Sequence, residues 1–400
     1  MVDRGTAENR AALRAEAVSW SKSITAGAPG NVTVNELVAP KPSGDWRINN
    51  FDLIRLLAAL QVAITHAIST MHVPGFFTPI VRFGLSFFPG VPIFFVVSGF
   101  LISKSYEHSD LLSNYFRNRC LRIYPGLWVC LIVTVSVMLM AGISVIGAIS
   151  TRHWLLWWAA QMTVFQNYSP GFQWPQGLGG PGPNASLWTI PIELEFYILL
   201  PAIYAVFRLR KRRGNISLLA LFAASAALDL DLVYAHEGFP NHTPYNYLPF
   251  TVAPYLWMFL VGVMVQRNWN TLRSVLAGRA HWWLLGYLLL CMVATRLRIL
   301  VGSNAITPIF LLPLAGLVIS SATSAPWLAD RVLRHQDISY GTYVYHALVI
   351  NLMVGFGFVG SAFSAATAIA ASLVLATMSW ALVEKPFLRH KHDALRPATG

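Results

Sequence analysis

The chain has 400 residues, of which 55% are hydrophobic and only 12% are charged, and its formal net charge is +12. Soluble domains carry about 25% charged residues, so this composition excludes an ordinary soluble protein and indicates a polytopic membrane protein. The basic residues form short clusters between apolar runs, which is the positive-inside pattern and not a nucleic-acid-binding surface. The three cysteines, Cys120, Cys130 and Cys291, have neither metal-site nor disulfide spacing.

The two ends of the chain differ from its middle. Residues 1–48 are polar, rich in Gly, Ser and Pro, and have no signal-peptide pattern. They predict a disordered cytoplasmic tail. A membrane domain is predicted at residues 49–388, and residues 389–400 are predicted to form a second cytoplasmic tail.

Ten apolar runs are long enough to cross a bilayer as helices, which takes about 20 residues each. The predicted spans are residues 50–71, 80–102, 124–148, 187–207, 215–235, 248–266, 281–301, 305–322, 338–359 and 362–382. With both termini inside, every basic cluster lies on the cytoplasmic side. The predicted fold class is therefore all-α, a polytopic bundle of about ten transmembrane helices.

The Trp-rich segment 153–166 does not fit this count as a further span, because an extra crossing would move the RLRKRR cluster outside. The segment is predicted to be an interfacial or re-entrant helix, with its tryptophans at headgroup level. A complete extra span is the alternative.

The first span carries three ionisable residues, and such groups inside a bilayer mark candidate functional sites. Arg55 and His66 are eleven residues apart, so at about 100° per residue they share a helix face, with His66 roughly 16 Å deeper. Asp52 lies three residues before Arg55 and joins the same stripe. The pattern predicts an acid and a cation at one mouth and an imidazole near mid-membrane. The alternative is a structural histidine with an arginine that snorkels to the interface.

Arg117, Arg119 and Arg122 crowd the cytoplasmic mouth of the second and third spans. Arginine suits bidentate phosphate binding, so this cluster is either an anion site or a positive-inside anchor. Glu193 and Glu195 lie in the fourth span, about 200° apart on a helix, so at most one of them is expected to face the cavity of His66.

Small and polar residues at two other span ends complete the candidates. Ser98 and Gly99 allow close approach of a neighbouring helix or backbone at the end of the second span. Ser339 and His346 are seven residues apart at the start of the ninth span and share a face, and His346 is either structural or part of the same cavity.

Six segments resemble, in the same order, the landmarks of acyltransferase family three, the membrane acyltransferases that decorate glycans, antibiotics and other acceptors. The first resembles the Arg/Lys-x10-His signature of that family. The segments are FDLIRLLAALQVAITHA, FFVVSGFLI, RNRCLRIYP, SLWTIPIELEFY, ISYGTYVYHALV and VEKPF. The resemblance runs from about residue 48 to residue 388.

This resemblance implies transfer of an acyl group, commonly acetyl, from cytoplasmic acyl-CoA to a hydroxyl of a glycan or polysaccharide. The implied catalytic residues are His66, Arg55 and Glu193, and the implied acyl-CoA-binding residues are Arg119, Arg122 and Arg117. Asp52, Ser98, Tyr343 and His346 are supporting candidates. One departure is that the usual Ser-Val-Glu-Glu run reads Pro-Ile-Glu-Leu at residues 191–194, so the second acidic position is lost or displaced to Glu195.

His66 is the candidate general base, because an alcohol is a poor nucleophile at neutral pH. We expect no metal and no tightly bound cofactor, with acyl-CoA as co-substrate, a hydroxyl acceptor and the lipid bilayer as partners, and a location in the inner, cytoplasmic membrane. Direct transfer and a covalent acyl-histidine intermediate both remain open. An acyltransferase for a small acceptor, such as a macrolide or a lipid, shares all the motifs. A transporter with His66 and Glu193 as a proton relay is the third hypothesis.

Overall fold

The computed structural model describes residues 49–75, 77–109, 111–140, 151–163, 165, 184–207, 209, 214–234, 248–297, 306–325, 327–334 and 336–393. Regular secondary structure within these ranges is entirely helical, which confirms the predicted all-α class. The predicted N-terminal tail lies outside the described residues. The last described helix continues to Asp393, past the predicted domain end at residue 388.

The helices are numbered here in chain order. The first seven are α1 Phe51–Thr70, α2 Phe77–Ser86, α3 Gly90–Glu107, α4 Leu112–Met140, α5 Thr151–Gln161, α6 Thr189–Val206 and α7 Gly214–Tyr234. The next eight are α8 Leu256–Arg267, α9 Trp269–Leu276, α10 Ala280–Arg296, α11 Pro308–Thr323, α12 Trp327–Leu333, α13 Ser339–Gly355, α14 Ala362–Ser379 and α15 Lys385–Asp393. A 3₁₀ turn, Ala185–Trp188, precedes α6, and a π-helical turn, Trp380–Glu384, joins α14 to α15.

A helix lies at each of the ten predicted spans, but these helices differ in length. Among the described residues, six helical segments are long and apolar enough to cross a membrane: Phe51–Thr70, Pro79–Glu107, Leu112–Val137, Ala185–Val206, Gly214–Leu232 and Ala362–Arg389. The number becomes eight if α9 with α10, and α11 with α12, are each one bent span. The chain is thus a multi-pass membrane bundle, and the count of ten spans stays a prediction.

The Trp-rich segment forms the short helix α5, with 11 residues. At about 1.5 Å per residue it is roughly half as long as the 30 Å hydrocarbon layer is thick. Trp154 and Trp157 stack on it with their ring centroids 5.2 Å apart. A helix of this length does not cross a bilayer by itself. Phe165 is described, but residues 164 and 166–183 lie outside the described ranges.

Glycines bring α3 and α8 into backbone contact. A Cβ atom built on Gly99 would lie 1.9 Å from the Phe259 carbonyl oxygen, and one on Gly262 would lie 2.1 Å from that of Val96. Gly99, in the FFVVSGFLI segment, therefore allows close helix packing, as its small size predicts. The stacked rings of Phe196 and Phe259, with centroids 4.3 Å apart, join α6 to the same pair.

Helix α1 lies at the centre of the site-forming helices and contacts α3, α13 and α14. Its buried face carries small side chains, including Ala59 and Ala63, which lets these helices approach closely. The start of α1 is fixed by Asn50, whose Nδ2 donates to the carbonyl oxygens of Ser324 and Ala325 at 2.6 and 3.0 Å. The break between α11 and α12 therefore sets the position of the helix that carries Arg55 and His66.

Candidate active site

Two arginines from different helices meet on one carboxylate, that of Asp337. Arg55 Nη1 on α1 donates to Asp337 Oδ2 at 2.7 Å, and Arg122 Nη2 on α4 donates to the same oxygen. The other oxygen, Oδ1, accepts from the backbone and the hydroxyl of Ser339 at the start of α13. Burial alone would raise the pKa of Asp337, but the Arg122 and Arg55 guanidiniums and the Ser339 hydrogen bonds hold it well below its ordinary value. Asp337 thus connects three helices through charge.

Two further carboxylates interact with this cluster. Asp52 lies near enough to interact electrostatically with Asp337, Arg55 and Arg122. Glu384, at the end of the π-helical turn, is 1% exposed and interacts with Arg122. Two guanidiniums therefore share three carboxylates, which leaves little of their positive charge for a phosphate ligand. The acid and the cation predicted at one mouth of the site, Asp52 and Arg55, interact electrostatically, and Arg55 forms its direct ion pair with Asp337.

The three arginines predicted as one cluster occupy different environments. Arg122 points into the bundle toward Asp337, as above. Arg119 Nη2 donates to Ser105 Oγ at 2.9 Å, and its guanidinium lies 5.7 Å from the centroid of the Tyr197 ring. The Nε atom of Arg119 is buried and has no hydrogen-bond partner among the described residues. Arg117 is exposed. Arg119 therefore keeps a donor for a ligand, whereas Arg122 is occupied by Asp337.

A narrow cavity of about 30 Å³ lies between α1, α3, α6 and α13 and brings four of the predicted site residues together. Its lining consists of Arg55, Val91, Phe94, Phe95, Ser98, Thr189, Ile190, Glu193, Tyr340 and Tyr343. In this conformation it has room for about two water molecules. Most of the wall is apolar, so the few polar groups in it define its chemistry.

The two glutamates of α6 face different neighbours, as their spacing predicts. Glu193 lines the cavity, and its Oε1 accepts from the Tyr197 hydroxyl at 2.6 Å. The Tyr197 ring lies beneath Arg119. Glu195 is not in the cavity wall; its Oε2 accepts from the backbone N–H of Val252 at 2.7 Å. Glu193 therefore belongs to the site, and Glu195 fixes the segment before α8.

His66 lies beside a second histidine, His346 of α13. His66 Nδ1 and His346 Nε2 are 3.0 Å apart, and His346 Nδ1 lies 2.7 Å from the Tyr343 carbonyl oxygen. His346 is fully buried, whereas His66 is half-buried. The ring of Tyr343 lies 5.7 Å from that of His346, and its hydroxyl accepts a 2.9 Å hydrogen bond from Thr189. Tyr343 therefore links the cavity wall to the histidine pair.

Sequence reasoning missed two acidic residues of this site. Asp337 lies in a short connection with no motif of its own, and only the tertiary contacts reveal that it pairs with two arginines. Glu384 belongs to the VEKPF segment. This segment resembles a motif of the family, but the resemblance gave no reason to expect a buried acid beside Arg122. The sequence did contain one indication, because an acidic residue that follows an apolar run is a candidate for a functional site.

Comparisons with known proteins point to acyl transfer. The family model described as "Acyltransferase domain", of acyltransferase family three, matches residues 48–383. "Nodulation protein 10" of Rhizobium leguminosarum bv. viciae is 34% identical over 352 residues, which cover 85% of this chain and 93% of that protein. The "O-acetyl transferase" of Shigella phage Sf6 is 27% identical over 377 residues, 87% of this chain and 98% of that protein.

A more distant similarity reaches a protein of cell-wall chemistry. The "Peptidoglycan O-acetyltransferase OatA" of Listeria monocytogenes is 30% identical over 132 residues, which cover 30% of this chain and 20% of that protein. No solved structure matches the chain.

Proposed function

Because the chain belongs to acyltransferase family three and is a membrane O-acyltransferase, we propose that it moves an acetyl group from cytoplasmic acetyl-CoA to a hydroxyl of a glycan. The names of two relatives, both O-acetyltransferases, support the acetyl group, and the peptidoglycan in the name of one of them supports a glycan acceptor. The proposal includes the inner membrane as the location and both termini in the cytoplasm.

The observation that carries the proposal is the cavity that joins Arg55 and Glu193 to Tyr343, whose backbone and ring contact the histidine pair. Acyl transfer needs a base near an enclosed path for a thioester, and a cavity next to the histidine pair supports this proposal. The apolar rings of the wall suit an acyl chain and the pantetheine arm. The cavity must widen to admit them, since its present volume is that of about two water molecules.

The donor's phosphates need cations at the cytoplasmic mouth. Arg119 supplies a buried Nε donor that no described residue uses, and Arg117 lies exposed two residues earlier on α4. Arg122 was the third candidate, but Asp337 occupies its guanidinium. We therefore assign Arg119 and Arg117 to the phosphates of acyl-CoA. Arg122 and Arg55 are assigned to holding the mouth of the site together.

The reaction at His66 balances as a base-catalysed acyl transfer. A neutral imidazole nitrogen takes the proton of the acceptor hydroxyl while the oxygen attacks the thioester carbonyl. The carbon–sulfur bond then breaks, and the imidazolium returns its proton to the thiolate of the departing CoA. One acyl group has moved, CoA leaves as the free thiol, and the enzyme ends as it began. His66 is only half-buried, which leaves its ring accessible to an acceptor.

Mass spectrometry of glycans and lipids from a deletion strain tests the proposal. The strain is complemented with the wild-type gene or with His66→Ala, at matched protein levels in the membrane. We expect a glycan that gains 42 Da per acetyl group with the wild-type gene and loses this mass in the other two strains. Acetyl groups that persist on all glycans and disappear from a lipid or a small molecule would contradict the glycan acceptor.

A further inference from the structure

The hydrogen bonds around His346 define which of its nitrogens carries the proton. A carbonyl oxygen can only accept, so the 2.7 Å contact with the Tyr343 carbonyl requires a proton on His346 Nδ1. A neutral imidazole carries one proton, so His346 Nε2 is then an acceptor. The group 3.0 Å from it, His66 Nδ1, must be the donor. The remaining nitrogen of His66, Nε2, therefore holds a lone pair.

The surroundings of His346 keep it neutral. The residue is 0% exposed, and an isolated buried cation is costly. Helix α14 and the 3₁₀ turn, which both pack on α13, contain no ionisable residue. The groups that do face it are His66 from α1 and Tyr343 from α13 itself, while Cys130 of α4 contacts the neighbouring Val344 carbonyl. None of these is a carboxylate that would stabilise an imidazolium.

We propose that His346 is a positioning residue, which accepts the Nδ1 proton of His66 and so presents the unprotonated Nε2 of His66 to the acceptor hydroxyl. The inference rests on the proposed function, because it identifies which nitrogen acts as the base and what orients it. His346 touches no substrate in this account. It acts as the third group does in other base-assisted sites, where a partner fixes the tautomer and the ring orientation of the base.

The proposal explains why α1 and α13 pack so tightly at this point. Ala67 and Met71 of α1 form a buried cluster with Val349 and Ile350 of α13, one turn from the histidine pair. This cluster holds the two rings in register, since core side chains occupy fixed rotamers.

Two amide substitutions separate the two contacts of His346. His346→Gln places an amide oxygen near the position of Nε2, where it can accept from His66. His346→Asn places its amide near the position of Nδ1, where it reaches Tyr343 but not His66. We expect kcat to fall roughly 10- to 100-fold in His346→Asn, the range typical of lost orienting partners, and much less in His346→Gln. The KM for acetyl-CoA should stay within about twofold of wild type in both.

His346→Met and Val349→Ala complete the design. Methionine fills the space but accepts no hydrogen bond of comparable strength, so His346→Met should resemble His346→Asn. Val349→Ala shortens one side chain of the buried cluster and leaves the His346 acceptor in place, so its cost should appear mainly in thermal stability. If His346→Asn does not accumulate, the comparison of His346→Gln with His346→Met decides the question.

The pH–rate profile distinguishes this role from a purely structural one. The acidic limb of kcat should persist in His346→Met with a lower plateau, because His66 is still the base. In His66→Ala the limb should vanish together with the activity. Equal kcat in the Gln, Asn and Met variants would overturn the inference. A fall in kcat in all three that is matched by an equal loss of acetyl-CoA affinity would overturn it as well. Full activity of His66→Ala would instead overturn the proposed function itself.

Discussion

Glu193 and Glu195 are separated by a single residue, yet their side chains reach different parts of the protein. Glu193 lines the cavity and accepts from Tyr197, whereas Glu195 accepts from the Val252 backbone. Glu193→Gln keeps the volume and removes the charge, so we expect kcat to fall at least about tenfold, as for loss of one charged contact in a catalytic site. Glu195→Gln is the matched control and should keep most of the activity. An inactive Glu195→Gln variant together with an active Glu193→Gln variant would contradict this, because Glu195 and its face of α6 would then belong to the site.

Arg119 is the arginine whose contacts leave a hydrogen-bond donor free, and the proposed function assigns it to the phosphates of acyl-CoA. Loss of one charged hydrogen bond costs about 1.5–3 kcal/mol, so Arg119→Ala should raise the KM for acetyl-CoA roughly ten- to hundredfold. The KM for the acceptor should change little. Arg122→Ala serves as the comparison, because its guanidinium pairs with Asp337 and its removal should reduce the amount of folded protein. A KM for acetyl-CoA that is unchanged in Arg119→Ala would remove this residue from the donor site.

The sequence and the structure agree best where one helix carries the information. Arg55 and His66 share a helix, so their spacing is sufficient to place them on one face, and the two glutamates of α6 separate for the same reason. Asp337 is different, since it lies 282 residues from Arg55 and 215 residues from Arg122. Contacts at such separations depend on how the helices pack, and helical periodicity carries no information about them. His346 shows the same limit of sequence reasoning, because its sequence context fits a purely structural role as well as it fits a role in the site.

At the scale of helices, Asp337 holds α1, α4 and α13 together. Removing one partner of a buried ion pair leaves an uncompensated charge and typically costs about 3–5 kcal/mol. We expect Asp337→Asn to lower the free energy of unfolding by about this amount, measured by thermal unfolding in detergent. Arg273→Ala, on the exposed surface of α9, is the control and should have little effect. Wild-type stability in Asp337→Asn would show that the two arginines find other partners.

The same carboxylate predicts how this stabilisation depends on pH. The pKa of Asp337 lies below its ordinary value in the folded protein, so the ionised form stabilises the fold. Its contribution is fully present above the unfolded value of about 3.9 and is lost as the pH falls through the lower, folded value. Wild type should therefore still be more stable than Asp337→Asn at pH 5, and the contribution of the Asp337 charge should be lost only below about pH 4. A difference that shrinks between pH 8 and pH 5 would indicate another titrating group.

At the scale of the whole molecule, the charge pattern predicts the orientation in the membrane. With both termini inside, Cys120 and the RLRKRR segment lie on the cytoplasmic side, and the loop at residues 236–247 lies outside. A membrane-impermeant thiol reagent should label Asn241→Cys in intact cells. It should label Asn215→Cys and the native Cys120, which is exposed, only after the membrane is permeabilised. Equal labelling of residues 215 and 241 from outside would contradict this orientation.

Within the bundle, the charge cluster around Asp337 and the half-buried His66 lie at different positions along α1. Arg55 lies in the cavity wall with Glu193, while His66 contacts His346 next to Tyr343. Under the proposed function, the phosphates of the donor bind near Arg119 while the acyl group reacts near His66. Transfer from one side of the membrane to an acceptor on the other is what the proposed function and the predicted orientation together predict.

The rate of acetyl transfer by purified protein in lipid vesicles tests the central claim most directly. The wild type is compared with His66→Gln, which keeps a polar side chain and lacks the base, and acetyl-CoA binding is measured separately by titration. We predict that kcat falls by about 10²–10⁴ in His66→Gln while the dissociation constant for acetyl-CoA changes less than about threefold. Wild-type turnover in His66→Gln would contradict the account, since no base would then be required at this position.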